Sequence, residues 1–115
     1  MTLVEFLLAR ITEDEAVARG LQNATVLAGQ RPNFYGAGGP AAEDFWRRFD
    51  PAWVLAECEA KRRIVDEHGI DYEDGEQVCA VCRAVIGNVP YPCRTLRFAA
   101  LPYAGHSDYR EEWRP

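Results

Sequence analysis

Cys79-Ala80-Val81-Cys82 is a pair of cysteines two residues apart, and Cys93 follows eleven positions after Cys82. Two intervening residues let a tight turn aim both sulfurs at one point while backbone amides donate to the thiolates. Three thiolates and one more ligand close a tetrahedral zinc site. Three residues are candidates for the fourth position. His68 precedes Cys79 by eleven residues, at a predicted helix end beside a loop that can bring it round. Cys58 lies ten residues before His68, ~15 Å away along the same predicted helix. His106 lies thirteen residues past Cys93, beyond a predicted helix that would carry it ~12–15 Å away. These distances favour His68, Cys79, Cys82 and Cys93 as the metal set. The competing reading makes all four cysteines small buried hydrophobes, and Cys58 on its own is read that way. A cysteine-rich site with no open position is structural, so the set implies Zn2+ as a stabilising ion and no catalysis.

The elements that must position these residues are mostly helical. Thr2 with Glu5 forms a capping box, and Val4, Leu7, Leu8 and Ile11 recur at helical spacing, extended roughly by Ala18 and Leu21. The spacing predicts a helix over 3–20, with Gly20 near its end. Residues 22–42 are rich in glycine and proline and read as a long loop, with a short strand at Thr25-Val26-Leu27. Phe45 and Phe49 suggest a short helix at 41–48. Asp50 is a good N-cap and Pro51 suits a first helical position. Val54, Cys58, Ile64 and Val65 then share a face, which predicts a helix over 51–68 ended by Gly69 in a left-handed turn. Residues 70–76 form an acidic loop. Gln77-Val78-Cys79 and Ala84-Val85-Ile86 are β-prone runs around a turn at Gly87-Asn88, which gives a zinc-knuckle hairpin over 77–93. A last helix occupies 94–101, stopped by Pro102, and its positive end beside Cys93 favours the thiolate. The expected fold is mainly α with a small β-hairpin, one domain over 1–115, with the helices around the Cys3His knuckle.

Composition narrows the setting. A net charge of −5 disfavours sequence-independent binding to nucleic acid. An apolar content of 48% argues against wholesale disorder. The N-terminus lacks a basic region followed by an apolar run, and no segment approaches the ~20 apolar residues that span a bilayer. A cytoplasmic protein with reduced thiols is the reading, in which cysteines suggest metal before disulfides.

Much of the wording resembles a family of small actinobacterial and actinophage proteins of unassigned function. The resemblance runs through Val54-Leu55-Ala56-Glu57, Glu59-Ala60-Lys61-Arg62-Arg63-Ile64-Val65, His68 and the cysteine pair. It continues through Tyr91-Pro92-Cys93-Arg94-Thr95-Leu96-Arg97, Ala100-Leu101-Pro102-Tyr103-Ala104 and His106-Ser107-Asp108-Tyr109-Arg110-Glu111-Glu112-Trp113, and touches the opening helix and the Asp50-Pro51-Ala52 cap. It covers roughly three quarters of the chain and leaves out the stretch from Leu21 to about Asp44. It implies that His68, Cys79, Cys82 and Cys93 belong to the shared pattern and that Cys58 does not. A looser resemblance, to the WhiB-like iron–sulfur regulators, departs from their pattern in its longer last gap.

Other features point to less. Gly36-Ala37-Gly38-Gly39 lacks a P-loop lysine and reads as a plain flexible loop. Arg47, Arg48 and Lys61-Arg62-Arg63 make a basic stretch that could meet a phosphate backbone, but Glu57, Glu59, Asp66 and Glu67 interleave with it. Trp46, Trp53, Trp113, Phe45 and Tyr35 read mostly as core. His106 with Asp108 is too little for catalysis. The function this supports is a non-enzymatic structural-zinc module that binds a protein partner; the alternative is a nucleic-acid-binding or transcription-modulating regulator.

Overall fold

The computed structural model describes residues 1–28, 38–87 and 89–115. Its helices are α1 (Leu3–Ala28), α2 (Gly39–Arg48), α3 (Pro51–Glu67), α4 (Arg83–Ile86) and α5 (Arg94–Ala100). Strands β1 (Ile70–Glu73) and β2 (Glu76–Cys79) sit between α3 and α4, and short 3₁₀ turns occupy Leu101–Tyr103 and Glu111–Trp113. The fold is mainly helical with a two-stranded antiparallel hairpin, as the sequence implies. The described residues form two compact units, Met1–Ile11 with Ala60–Pro115, and Thr12–Glu59. No helix among them is long and apolar enough to cross a membrane.

Both helix starts follow from their capping residues. The Thr2 hydroxyl accepts from the Glu5 amide at 3.1 Å, and the Glu5 carboxylate accepts from the Thr2 amide at 3.0 Å. Asp50 Oδ1 accepts from the Trp53 amide at 2.9 Å ahead of Pro51. The buried stripe at the start of α1 is Leu3, Phe6, Leu7 and Ile11, rotated slightly from the expected one, so that Val4 and Leu8 are half-buried. On α3, Cys58 and Val65 are buried while Val54 and Ile64 are half-buried.

Several boundaries differ from the sequence reading. Helix α1 runs through Gly20 to Ala28, so the expected strand at Thr25-Val26-Leu27 is helical, and both ends of the expected 22–42 loop belong to helices α1 and α2. Residues 29–37, including Tyr35 and the start of the glycine-rich run, lie outside the described residues. An interior glycine costs only ~1 kcal/mol against alanine, too little to end a helix whose other residues favour it. Gly69 ends α3 without a left-handed conformation; its carbonyl instead accepts from the Ala80 amide at 2.9 Å.

The hairpin also sits elsewhere. The acidic run read as a loop contains β1, which pairs with β2 in the register Ile70 to Cys79, Asp71 to Val78, Tyr72 to Gln77 and Glu73 to Glu76. Its two-residue turn, Asp74 at φ 52° and Gly75 at φ 83°, has both central residues left-handed, the form whose twist matches antiparallel strands. Ala84-Val85-Ile86, read as β-prone, belongs to the single helical turn α4. Helix α5 stops at Ala100, and Pro102 sits inside the following 3₁₀ turn.

Aromatic residues divide between the two units. In the first, Phe6 is fully buried with Tyr103, His106, Tyr109 and Trp113 at centroid distances of 6.5, 5.6, 5.9 and 5.2 Å. In the second, Phe45, Phe49 and Trp53 stack at successive centroid distances of 4.8 Å, yet all three are exposed. The core reading therefore holds for Trp113 and is corrected for Phe45 and Trp53.

Candidate metal centre

The first cysteine pair is built at the end of the hairpin. Cys79 closes β2, where its amide donates to Val89 O at 2.9 Å, and the chain returns alongside through Val78 opposite Pro90 and Tyr91 N donating to Gln77 O at 3.2 Å. The 69–80 backbone bond ties the end of α3 to the turn after β2, which brings His68 beside the cysteines. Cys82 stands at the start of α4, its carbonyl accepting from the amides of Val85 at 3.1 Å and Ile86 at 3.0 Å. Arg83 reaches back to β1, donating to Asp71 Oδ2 at 2.9 Å and to Tyr72 O at 3.4 Å, and so holds the Cys82 turn against the hairpin. Cys93 precedes α5 with extended backbone, and its carbonyl accepts from Arg97 N at 3.2 Å.

These elements converge four donor atoms. His68 Nδ1 lies 3.4 Å from Cys79 Sγ, 3.6 Å from Cys82 Sγ and 3.5 Å from Cys93 Sγ. One atom from each of the four residues lies within 4.8 Å of every other. A single imidazole nitrogen cannot hydrogen-bond to three thiols at once. Three near-equal separations instead match the edges of a tetrahedron. Bonds of ~2.3 Å to sulfur and ~2.05 Å to nitrogen at the tetrahedral angle give nitrogen–sulfur edges of about 3.6 Å. Cys79 and Cys93 are buried, Cys82 and His68 half-buried, and no disulfide joins the sulfurs.

The electrostatics of the three thiols follow from their crowding. Burial pushes the Cys79 thiol up, but the Cys82 amide, His68, the Val81 amide and the Cys82 thiol together outweigh it and bring it down to about 7. Cys82 is pushed up to about 12, first by burial and then by the Cys79 and Cys93 sulfurs beside it. The site thus accommodates a first thiolate and penalises the next, because negative charges crowd one point. A divalent cation at that point is the complement that lets all three ionise. Residues and spacing fit the ion.

The remaining candidates fall outside this group. Cys58 is fully buried in the second unit. His106 is engaged elsewhere: its Nδ1 accepts from the Asp108 amide at 3.0 Å, and its Nε2 meets Arg10 Nη1. The Arg10 contact is one that sequence reasoning missed; the only hint was that Arg10 falls on the buried stripe of α1, three residues after Leu7.

No curated protein and no solved structure matches this sequence. A family model does, over residues 1–115, and the chain therefore belongs to that family, a family of unknown function (DUF6221).

Proposed function

We propose that His68 Nδ1 and the sulfurs of Cys79, Cys82 and Cys93 bind one structural zinc ion, and that the chain acts as a non-enzymatic module binding another protein. The observation that carries the metal is the near-equal spacing of one imidazole nitrogen from three sulfurs, 3.4–3.6 Å. The donor set suits zinc among divalent ions. Ligand atoms all within 4.8 Å enclose room for one ion and not for an iron–sulfur cluster. Four protein ligands fill a tetrahedral shell, which leaves no position for a substrate. Thiols without a disulfide suit a reducing compartment such as the cytoplasm.

The interaction role is supported by the surface that the knuckle presents. Val85 and Ile86 on α4, directly after Cys82, are 85% and 77% exposed. Adjacent aliphatic side chains held out from a metal-braced turn are a contact surface at little ordering cost. The nucleic-acid alternative has less support, because Arg47 is already paired with Glu43 and Asp44 at 3.6 Å each.

The test is metal analysis of the purified full chain beside His68→Ala and His106→Ala. One equivalent of zinc is expected in the wild type and in His106→Ala. His68→Ala should weaken zinc binding by ~10²-fold or more, beyond the ~10–100-fold typical of outer-shell changes. Zinc content indifferent to His68→Ala, or an iron-loaded protein, would contradict the proposal.

A further inference from the structure

Helix α2, in the second unit, is ten residues long and none of them is buried. Helices this short are marginal in water and hold through packing of an apolar face. The apolar face of α2 lies open. Ala41, Phe45 and Phe49 follow one another at four-residue spacing, which places them on one stripe. Trp53 of α3 continues it, edge-on to Phe49 at 4.8 Å. The three rings are 65%, 40% and 44% exposed in chain order, and Ala41 is exposed beside them. Together the rings leave ~300 Å² of contiguous apolar surface, the size at which such patches are often functional.

The charges beside the stripe indicate what covers it. Helix α2 carries Glu43 and Asp44 in its middle and Arg47 and Arg48 at its end. A partner of one sign, such as a nucleic acid or an anionic membrane, would meet the two acids along with the arginines. The rings are also tilted by 46° and 86° to one another, which makes no flat platform for successive bases. The complement of this pattern is the same helix reversed. Across a twofold axis near Phe45 and Trp46, Asp44 of each copy stands opposite Arg48 of the other, and the bulky Phe49 opposite the small Ala41. Asp44 and Arg48 are four residues apart on one flank of the stripe, and such an axis brings that flank against its own copy. Within the chain Asp44 lies 3.6 Å from Arg47, while Arg48 has no ion pair among the described residues.

We propose that the chain self-associates as a twofold antiparallel dimer through α2. Phe45 and Phe49 of each copy pack over the stripe of the other, Trp53 lies at the margin, and two Asp44–Arg48 ion pairs form the rim. The interface is small, so the dimer is weak, with a dissociation constant on the order of 100 µM. It does not depend on the metal reading.

The test is sedimentation equilibrium of the full chain purified with its metal, from ~10 µM to ~1 mM, a tenfold margin on either side of that constant. The expected result is a concentration-dependent rise from the monomer mass towards twice that mass. Phe45→Ser, at an exposed position, should abolish the rise. D44R and R48D each place like charges opposite each other, and each alone should weaken association at least about tenfold. An equimolar mixture of the two variants restores both ion pairs and should dimerise at least as well as the wild type. That rescue also shows that neither variant is misfolded. Association unchanged by Phe45→Ser, or a mixture no better than either variant alone, overturns the proposal. So does a chain that stays monomeric throughout, whether or not separate arms with oligodeoxythymidine or phosphatidylglycerol vesicles then show binding.

Discussion

His68 Nδ1 and Cys93 Sγ lie 3.5 Å apart across a separation of 25 residues. Between them the chain makes the hairpin, the cysteine turn and α4, none of which is large enough to bury a core of its own. A metal ion joining the two ends would fix this stretch directly. Structural zinc contributes an apparent ~10–16 kcal/mol in small peptides, as much as the whole stability of a typical domain. Chelation should accordingly abolish the cooperative unfolding transition of residues 60–115, read as collapse of their NMR amide dispersion. Retained dispersion after complete metal removal would show that the unit stands without the ion.

The site should also respond to acid. Without an ion, Cys79 has a folded value near 7, below its ordinary 9.0, so the stability it contributes is full above 9 and lost as pH falls through 7. Cys82, raised to about 12, has the opposite sign and costs stability as pH climbs past 9. A bound ion would hold both as thiolates, removing the alkaline cost and making binding compete with protons at the acid end. The loaded protein should keep its metal at alkaline pH and release it on acidification below about 7, with proton uptake. A zinc-indicator titration across this range reads the release.

The four cysteines should separate into two kinds. Cys58 is buried in the second unit, outside the donor group. Cys58→Ala is expected to cost about 1 kcal/mol by thermal unfolding and leave the metal content at one equivalent. Cys82→Ala should lose the metal although Cys82 is the less buried of the two.

How much of this was legible in the sequence depended on whether the signal was local. The caps at Thr2 with Glu5 and at Asp50 with Pro51 are contacts within three residues, and both form. His68 and the three cysteines could be grouped because few residue types do this chemistry and their spacing is short. Asp74-Gly75 was also a local hairpin signal, but the surrounding acids hid it as a loop. Ala84-Val85-Ile86 has β-prone side chains, yet the turn after Cys82 leaves it no strand partner; it closes as helix with Arg83 anchored to Asp71. The Arg10–His106 pairing spans 96 residues, a separation at which periodicity carries no information.

Two glycines should answer to alanine with opposite signs. Gly75 occupies φ 83° in the hairpin turn, where an added Cβ meets nothing within 4 Å, so Gly75→Ala should cost about 1–2 kcal/mol through backbone strain alone. Gly20 lies inside α1 with equally open space, and Gly20→Ala should stabilise by about 0.5–1 kcal/mol. Denaturant midpoints of the two variants check both.

Trp113 is 6% exposed and packs on Phe6 and Tyr109 at 5.2 and 5.7 Å. Trp113→Ala should destabilise the first unit by about 3–5 kcal/mol, measured by denaturant unfolding, because it empties the largest side-chain volume around Phe6.

The most direct measurement is an anomalous-scattering map of crystals of the full chain, with data collected on both sides of the zinc absorption edge. A single peak equidistant from His68 Nδ1 and the sulfurs of Cys79, Cys82 and Cys93, present above the edge and weak below it, is the predicted result. Sulfurs joined in a disulfide, or Cys82 and Cys93 apart with no peak between them, would contradict it.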